Sequence, residues 1–180
     1  MGLGIACAYL AFTFFNKMYV ESNIKTGLER QKIFYKEDRF VSTPTPLNNI
    51  LWYSVAEVEE GYYLGMYSIL DKGYPADFNF VDRNEHLLEE ISDKALVDEL
   101  KWFSKGYYVV EKGIADTLIF NDIRFGTIGW HPENPQYAFK FKLFEENGKT
   151  ELQFVRGIEE LDIDLKTELA IFWERLKGNP

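Results

Sequence analysis

The stretch MGLGIACAYLAFTFFNKMYVESNIKTGLERQ, residues 1–31, decides the fold of this chain because its character changes midway. Residues 1–15 carry no charged side chain, whereas the remainder is polar and has a helical composition. At about 1.5 Å per helical residue, a helix that extends to Val20 spans about 30 Å, which is the thickness of a bilayer hydrocarbon core. Lys17 interrupts this span near its end, where a lysine can extend its ammonium group to the headgroups. The sequence therefore predicts a membrane helix over residues 1–20.

Three other interpretations of this segment are weaker. A secretory signal needs a basic region before the apolar run, and no lysine or arginine precedes Lys17. A lipoprotein signal would use Cys7, but only six residues precede that cysteine and the flanking pattern is poor. A buried soluble helix remains an alternative, yet the apolar residues from Leu3 to Phe15 fall on every face, which is typical of deep burial or of lipid.

Charge is unevenly placed along the chain. From Asn16 to Phe40 there are six basic and four acidic residues, a net charge of +2. From Val41 to Pro180 there are fourteen basic and twenty-five acidic residues, a net charge of −11. The negative charge of residues 41–180 repels the phosphates of nucleic acids, and we therefore expect no nucleic-acid partner.

The basic residues also bear on location. Lys17 and Lys25 lie close to the end of the predicted membrane helix, and basic flanks favour the cytoplasmic side. We therefore expect an inner or cell membrane location, with the soluble domain in the cytoplasm and the lipid bilayer as a partner. Cys7 is the one cysteine in the sequence, so no disulfide can form within the chain.

The rest of the chain predicts an α+β fold. A helical stem is expected over residues 21–41, and Pro44 and Pro46 then hold the chain extended. Residues 42–180 are expected to form one soluble domain, a mainly antiparallel sheet with short inserted helices and a C-terminal helix. Strands are predicted over 50–58, 62–70, 107–111 and 117–125, and helices over 87–91, 95–103 and 162–176. The apolar stripe of the last helix, from Leu165 to Leu176, is predicted to cap the sheet.

The clearest local pattern is the hairpin YAFKFKLFEENGKTELQF, residues 137–154. Its Asn147-Gly148 pair is typical of a two-residue turn between antiparallel strands. With that turn, the predicted cross-strand neighbours are Leu143 with Leu152, Phe141 with Phe154, and Lys142 with Gln153. One face of the hairpin is therefore expected in the core and the other in solvent.

Few residues point to chemistry. His86 and His131 lie in unlike contexts without a metal-ligand spacing, so no metal site is predicted within this chain. Asp122 and Arg124 are two apart in a predicted strand and share a face, where they could form a structural ion pair or bind a polar ligand. His131 follows in the loop after that strand. We take Asp122, Arg124 and His131 as candidate substrate-binding residues and identify no catalytic residue.

Aromatic residues are concentrated in two of the predicted strands. They occur in Leu51-Trp-Tyr53 and in Tyr62-Tyr-Leu-Gly-Met-Tyr67. Such residues either pack in a core or line a surface for a lipid-like ligand. Core packing is the favoured interpretation, and the lipid-like surface stays open as the alternative.

Three motifs together resemble a known family. They are Ser42-Thr-Pro-Thr-Pro-Leu-Asn-Asn-Ile-Leu-Trp52, Glu60-Gly-Tyr-Tyr-Leu-Gly-Met-Tyr-Ser68 and Phe120-Asn-Asp-Ile-Arg-Phe-Gly126. With the preceding apolar helix, they are similar to the C-terminal part of the YdjM-like family, which comprises membrane-bound proteins described as metal-dependent hydrolases. The resemblance covers most of the chain. It gives no role that transfers to the shared residues Asn48, Trp52, Asp122 and Arg124.

The resemblance also implies what would lie outside this sequence. Residues 1–20 would be the last of several membrane helices, and upstream helices of the same protein would be partners. A divalent metal would be held by histidine and acidic residues in that upstream region, so no metal ligand maps onto this chain. The cofactor is otherwise unknown, and this chain alone would be inactive.

Two functions follow as hypotheses. In the first, the chain is the soluble C-terminal domain of a membrane-anchored, metal-dependent hydrolase, with Asp122, Arg124 or His131 contacting the substrate. In the second, it is a non-catalytic, membrane-tethered module that binds a lipid-like ligand or a protein partner.

Overall fold

The computed structural model describes residues 2–75, 77–114, 116–128, 131, 135–156 and 165–179. Three α-helices and eight strands occur in them, with short 3₁₀-helices at Glu37–Arg39 and Glu85–Glu90. The α-helices are α1 (Gly2–Arg30), α2 (Lys94–Phe103) and α3 (Leu165–Leu176). The strands are β1 (Phe40–Pro44), β2 (Leu51–Glu57), β3 (Gly61–Ser68), β4 (Phe78–Asp82), β5 (Tyr108–Lys112), β6 (Leu118–Thr127), β7 (Tyr137–Glu146) and β8 (Lys149–Arg156).

The predicted α+β fold is confirmed, with two four-stranded sheets rather than one. Their strand orders are β1-β2-β3-β4 and β5-β6-β7-β8. The chain divides into a first unit, Met1–Val58, Tyr63–Asn79 and Trp173–Pro180, and a second unit, Glu59–Tyr62 and Phe80–Phe172. Each unit has its own hydrophobic core, and each is described separately below.

Helix α1 is one continuous helix whose two halves meet different surroundings. From Gly2 to Phe15 its side chains are exposed, apart from the half-buried Thr13. The helix is long and apolar enough to span a membrane. In its second half a stripe of three aliphatic residues at every fourth position is fully buried in the core of the first unit: Val20, Ile24 and Leu28. The same helix is thus a candidate membrane span and a core element.

The core of the first unit is formed where this stripe meets the sheet. Its buried members from the strands are Trp52, Ala56 and Tyr67. Burying each aliphatic side chain of the stripe contributes about 1.5–3 kcal/mol relative to exposure. Gly27 lies on the same side of α1, and a Cβ there would come within 2.5 Å of the carbonyl oxygen of Pro75. The absence of a side chain at Gly27 therefore lets the helix approach the segment before β4.

The predicted helical stem is shorter than expected. Helix α1 ends at Arg30, and β1 begins at Phe40, so the prediction of helix over residues 31–41 is wrong. The helix closes locally, because Lys32 has a φ of 58° and the backbone N–H of Ile33 donates to the carbonyl oxygen of Leu28 at 3.0 Å. In the segment that follows, Lys36 Nζ and Arg39 Nε donate hydrogen bonds to Glu57 of β2, at 2.9 and 2.7 Å, and Glu57 is 4% exposed. These two charge-assisted bonds hold the segment against the sheet, where β1 pairs with β2.

The polar residues of the Thr-Pro-Leu-Asn motif organise the turn between β1 and β2. Asn48 Oδ1 accepts hydrogen bonds from the backbone N–H groups of Ile50 at 2.9 Å and Leu51 at 2.8 Å. Its Nδ2 donates to Thr45 Oγ1 at 2.7 Å. On α1, the Asn16 side chain donates to the carbonyl of Asn49. These bonds give the motif a structural role, since they tie the turn to α1 where the exposed half of the helix ends.

The second unit is built on the predicted hairpin. Strands β7 and β8 pair with the register predicted for Leu143 with Leu152 and for Phe141 with Phe154. At the turn, Asn147 and Gly148 have φ values of 52° and 72°, the left-handed geometry of a two-residue hairpin turn. One face of the sheet is covered by α2 and the preceding 3₁₀-helix, and its core contains Leu87, Leu88, Ile91, Val97, Leu100, Tyr108, Val110, Leu118, Phe120 and Leu143.

Helix α2 begins with an aspartate cap. Asp93 Oδ1 accepts a hydrogen bond from the backbone N–H of Leu96 at 3.0 Å, which satisfies one of the unpaired N–H groups of the first turn. Ser92 donates its hydroxyl to Glu145 Oε1 at 2.9 Å. The start of α2 is therefore held both by its own cap and by β7.

The predicted C-terminal helix exists, but its apolar stripe does not form the expected cap. Residues 157–164 lie outside the described part of the chain. The predicted start of the helix, at residues 162–164, is therefore also outside it. Leu169 and Trp173 are 59% and 58% exposed, and only Leu176 of the described stripe is buried. Instead of the stripe, polar contacts hold the end of α3 in the first unit: Arg175 donates to both carboxylate oxygens of Asp71, at 2.6 and 2.8 Å.

Candidate functional site

Asp122 and Arg124 form an ion pair on one face of β6, as their spacing allows. Arg124 Nη2 donates to Asp122 Oδ2 at 2.5 Å, and Nε donates to Oδ1 at 3.0 Å. The side chain of Asp122 is fully buried, and that of Arg124 is 16% exposed. The hydrogen bond to Asp122 raises the pKa of the Arg124 guanidinium above its ordinary value. This geometry is compatible with both predicted roles of the pair, a structural ion pair and a site that binds a polar ligand.

Arg124 also reaches the end of helix α2. Its Nη2 donates to the carbonyl oxygen of Phe103 at 2.8 Å, and Phe103 is the last residue of that helix. The last carbonyls of a helix have no partner within it and carry partial negative charge, so a guanidinium there is stabilising. The guanidinium also lies over the rings of Phe103 and Phe125, at 5.8 and 5.2 Å from their centroids. The pair thereby fixes the C-terminal end of α2 to β6.

His131 is paired with a different residue. Its Nε2 lies 2.9 Å from Glu168 Oε1, and the two side chains are 43% and 21% exposed. Within the described residues, the structure therefore brings Asp122 and Arg124 together and pairs His131 with a carboxylate of α3. His86, the other histidine, is exposed.

An open apolar groove of about 360 Å³ lies in the second unit between α2 and the β7–β8 hairpin. Glu99 is the one charged residue among those that line it. Trp102 is 78% exposed beside it. The lining consists of Leu96, Glu99, Leu100, Trp102, Phe103, Phe139, Phe141, Leu152 and Phe154.

Ring contacts hold the walls of the groove together. Phe103 of α2 meets Phe141 of β7 edge to face, with ring centroids 5.7 Å apart. Phe141 in turn contacts Phe154 of β8 at 5.4 Å. Such aromatic pairs add about 0.5–1.5 kcal/mol each beyond the area that they bury. The groove is therefore bounded by a connected set of rings and not by loosely placed side chains.

The sequence did not indicate this groove. The hairpin pattern predicts Leu152 and Phe154 on the core face, and the structure leaves them 42% and 47% exposed. Helix α2 covers the sheet over Phe120 and Leu143, which are fully buried, but not over β8. A pattern of alternating residues gives the face on which a side chain lies, not whether another element reaches it.

Four of the five aromatic residues of β2 and β3 are buried, and Tyr63 is partly buried. Trp52, Tyr53, Tyr62 and Tyr67 are each at most 2% exposed. The favoured core interpretation is therefore confirmed for these four residues. These four residues do not form a surface for a lipid-like ligand, whereas the groove beside α2 has exposed aromatic residues.

A buried polar cluster lies on the other face of the second unit's sheet. Asn121, which is fully buried, donates from Nδ2 to Glu111 Oε2 at 2.9 Å. Burial raises the pKa of the Glu111 carboxyl above its ordinary value, while the hydrogen bond from Asn121 and the charge of Lys140 act in the opposite direction. Burial of Tyr137 and the charge of Glu111 also raise the pKa of the Tyr137 hydroxyl. The cluster places a carboxyl group where its charged form is costly.

Comparison with protein-family models, with curated proteins and with solved structures gives no match to this chain. The resemblance to the YdjM-like family accordingly stays a prediction. Among the described residues, no group of three or more histidine, cysteine, aspartate or glutamate side chains is arranged to hold a metal ion.

Replacing Arg124 tests whether the ion pair holds the fold. We expect Arg124→Met to lower the free energy of unfolding by about 3–5 kcal/mol, because the Asp122 carboxylate then stays buried without its partner. Lys112→Met is the matched control, since Lys112 lies 3.8 Å from Glu90 in a pair that is more than 60% exposed on both sides. Lys112→Met should lower the free energy of unfolding, measured by urea denaturation, by only about 0–1 kcal/mol. Equal effects of the two substitutions would contradict a structural role for Arg124.

Glu111 and Glu145 should give opposite pH dependences of stability. The pKa of Glu111 is raised by burial, so Glu111→Gln should be more stable than the wild type at neutral pH, and this gain should vanish as pH falls below 4.5. The pKa of Glu145 is lowered, chiefly by the Thr150 hydroxyl, so Glu145→Gln should be less stable at neutral pH, and this loss should vanish in acid. Thermal unfolding between pH 3 and 8 measures both differences. If both variants differed from the wild type in the same direction at neutral pH, the opposite pKa shifts of Glu111 and Glu145 would be contradicted.

Proposed function

We propose that this chain is a membrane-anchored binding module. Helix α1 inserts in the bilayer, and the soluble part of the chain binds a lipid-like ligand or a protein partner at the membrane. The observation that carries the proposal is the continuity of α1, whose apolar half is exposed and whose second half buries an aliphatic stripe in the core of the first unit. A helix that is apolar on all sides is stable when buried in protein or in lipid, and the described residues leave the first half of α1 exposed.

The polar contacts at the middle of α1 support this division. Asn16 is buried and bonded to the turn between β1 and β2, and Lys17 lies 3.6 Å from Glu21 one turn further on. Polar groups of this kind are favourable at the headgroup level and costly in the hydrocarbon core. We place the membrane boundary near Asn16, with the second half of α1 outside the hydrocarbon.

The fourteen residues from Gly2 to Phe15 cover about 21 Å, which is less than an average hydrocarbon core. A short apolar segment is accommodated by thinning of the bilayer and by extension of flanking basic side chains, each at modest cost. Lys17 supplies such a side chain, and Lys17 and Lys25 favour the cytoplasmic side for the soluble part. The proposed location is therefore the inner or cell membrane, with the soluble part in the cytoplasm.

The single cysteine provides a direct test of anchoring. Maleimides react with thiolates in water, so Cys7 in native membranes should stay unlabelled and should become labelled in denaturing detergent. The control is Lys149→Cys in a Cys7→Ser background, because Lys149 is exposed at the hairpin turn. With a membrane-impermeant maleimide, this cysteine should be labelled in inside-out vesicles and not in intact cells. Labelling of Cys7 without detergent would contradict insertion, and labelling of the control in intact cells would contradict the cytoplasmic side.

A second candidate is the soluble lobe of a membrane-bound, metal-dependent hydrolase. One observation favours it beside the resemblance: the half-exposed His131 is within 2.9 Å of Glu168, and a carboxylate that orients an imidazole is common in hydrolytic sites. In this proposal His131 contacts the substrate, while the metal is held by residues upstream of this sequence. A bound metal would activate water for hydrolysis.

The reading frame of the gene separates this candidate from a module without catalysis. The hydrolase proposal expects upstream membrane helices that carry histidine and acidic residues. It also expects His131→Gln to lower the metal-dependent activity of the complete protein by about 10²-fold or more, at an unchanged unfolding midpoint. The control is His86→Gln, because His86 is exposed and lies in the charged 3₁₀-helix before α2. An upstream region without such helices would exclude the hydrolase.

A further inference from the structure

We propose that the groove between α2 and the β7–β8 hairpin binds the hydrocarbon chain of a single-chain membrane amphiphile whose headgroup carries no negative charge. The inference rests on the proposed membrane anchoring and names the ligand class of the module. It assigns the site to the second unit, through residues on α2, β7 and β8.

The size and lining of the groove favour one hydrocarbon chain. Its volume of about 360 Å³ lies at the lower end of the range for small-molecule sites. A water molecule occupies ~30 Å³, and a methylene group occupies a similar volume. The groove therefore has room for roughly a dozen methylene groups. Every lining residue except Glu99 is aliphatic or aromatic. The groove thus offers apolar contact along its length and few polar groups for orienting a polar ligand.

The rings of the groove remain partly exposed in the folded chain. Phe103, Leu152 and Phe154 are each between 42% and 47% exposed, and Trp102 is 78% exposed. Contiguous exposed apolar residues of this kind mark a ligand or partner site on soluble surfaces. A protein anchored in a bilayer is surrounded by amphiphiles. Hydrocarbon chains are therefore the most abundant apolar groups available to such a groove.

Charge selects the headgroup. Glu99 lies on the exposed side of α2 as the one charged lining residue, and residues 41–180 carry a net charge of −11. An anionic headgroup would be repelled by both. Arg124 lies near Phe103, but its guanidinium is already bonded to Asp122 and to the Phe103 carbonyl. A neutral or cationic headgroup is therefore preferred over a carboxylate or phosphate.

The structure of the groove also defines the substitutions that test it. Leu152→Glu places a charge on the groove wall at a position that tolerates exposure, and Trp102→Glu does the same on α2. Ile114→Glu is the matched control, because Ile114 is 90% exposed in the β5–β6 turn and does not line the groove. Circular dichroism and thermal unfolding establish that each variant is folded before binding is measured.

The experiment uses the full chain in phosphatidylcholine nanodiscs with a photoactivatable monolaurin that carries a diazirine in its acyl chain. Labelled residues are mapped by mass spectrometry. We expect labels on α1, which report insertion in the bilayer, and on α2, β7 and β8, which report the groove. Leu152→Glu and Trp102→Glu should lower labelling of the groove roughly tenfold relative to α1, and Ile114→Glu should leave it unchanged. A diazirine laurate, which has the same chain with an anionic headgroup, should label the groove less than monolaurin.

The outcomes separate this inference from the proposed function. Labels on α1 without labels in the groove would overturn the inference and leave anchoring intact, whereas absence of labels on α1 would overturn anchoring. Equal groove labelling in Leu152→Glu and Ile114→Glu would also overturn the inference. A photoreactive residue at position 102 gives a further outcome. If monolaurin does not label the groove but this residue crosslinks to a polypeptide, the occupant is a protein and the inference is overturned.

Discussion

The burial of one side of α1 against the first sheet is the interaction on which the structure depends. Val20, Ile24 and Leu28 present an aliphatic stripe to the sheet, and their burial contributes about 5–9 kcal/mol in total. This is comparable with the whole stability of a small domain, so the helix cannot detach while the first unit stays folded. Because the helix is continuous, whatever environment holds its first half is coupled mechanically to this core.

The continuity of α1 would also make the proposed membrane tether rigid. A membrane helix followed by a flexible linker would leave a soluble domain free to reorient, with a cost in effective concentration at the bilayer. In this chain the change from exposed to buried surroundings occurs within one turn or two of Asn16, and no loop intervenes. Asn16 itself bonds to the β1–β2 turn, so the transition is a hydrogen-bonded junction. The orientation of the first sheet relative to α1 is therefore fixed by packing and not by a linker.

Local patterns in the sequence were sufficient for part of the fold. The hairpin of the second unit could be predicted in register because Asn147-Gly148 fixes the turn and alternation then places Phe141 opposite Phe154. The apolar spacing that predicted α2 was an equally local pattern. Helix α1 could be predicted as an apolar span, but not as a core element. Its second half is polar enough to read as an exposed stem, and only its register against Trp52 shows which side is buried.

What could not be predicted depends on contacts between distant residues. The segment after α1 is held by Glu57, which lies 18 and 21 residues from the two cations that it binds. The candidate pair Asp122–Arg124 could be predicted as a pair from its spacing, yet its contact with the carbonyl of Phe103 depends on where α2 ends over the sheet. The groove is a further case, since Leu152 and Phe154 have the same alternation as buried residues and differ only because α2 does not extend over β8.

The position of α2 connects the ion pair with the groove. Arg124 holds the last carbonyl of α2 and lies beside the ring of Phe103, which forms one wall of the groove. If α2 were displaced by even one turn, about 5.4 Å, the contact of Phe103 with Phe141 would be lost and the groove would change shape. Arg124, a candidate substrate-binding residue, is therefore also placed to act on the apolar groove indirectly. The buried carboxylate of Asp122 keeps Arg124 in place, Arg124 keeps α2 in place, and the groove exists because α2 covers Phe120 and Leu143 while leaving β8 open.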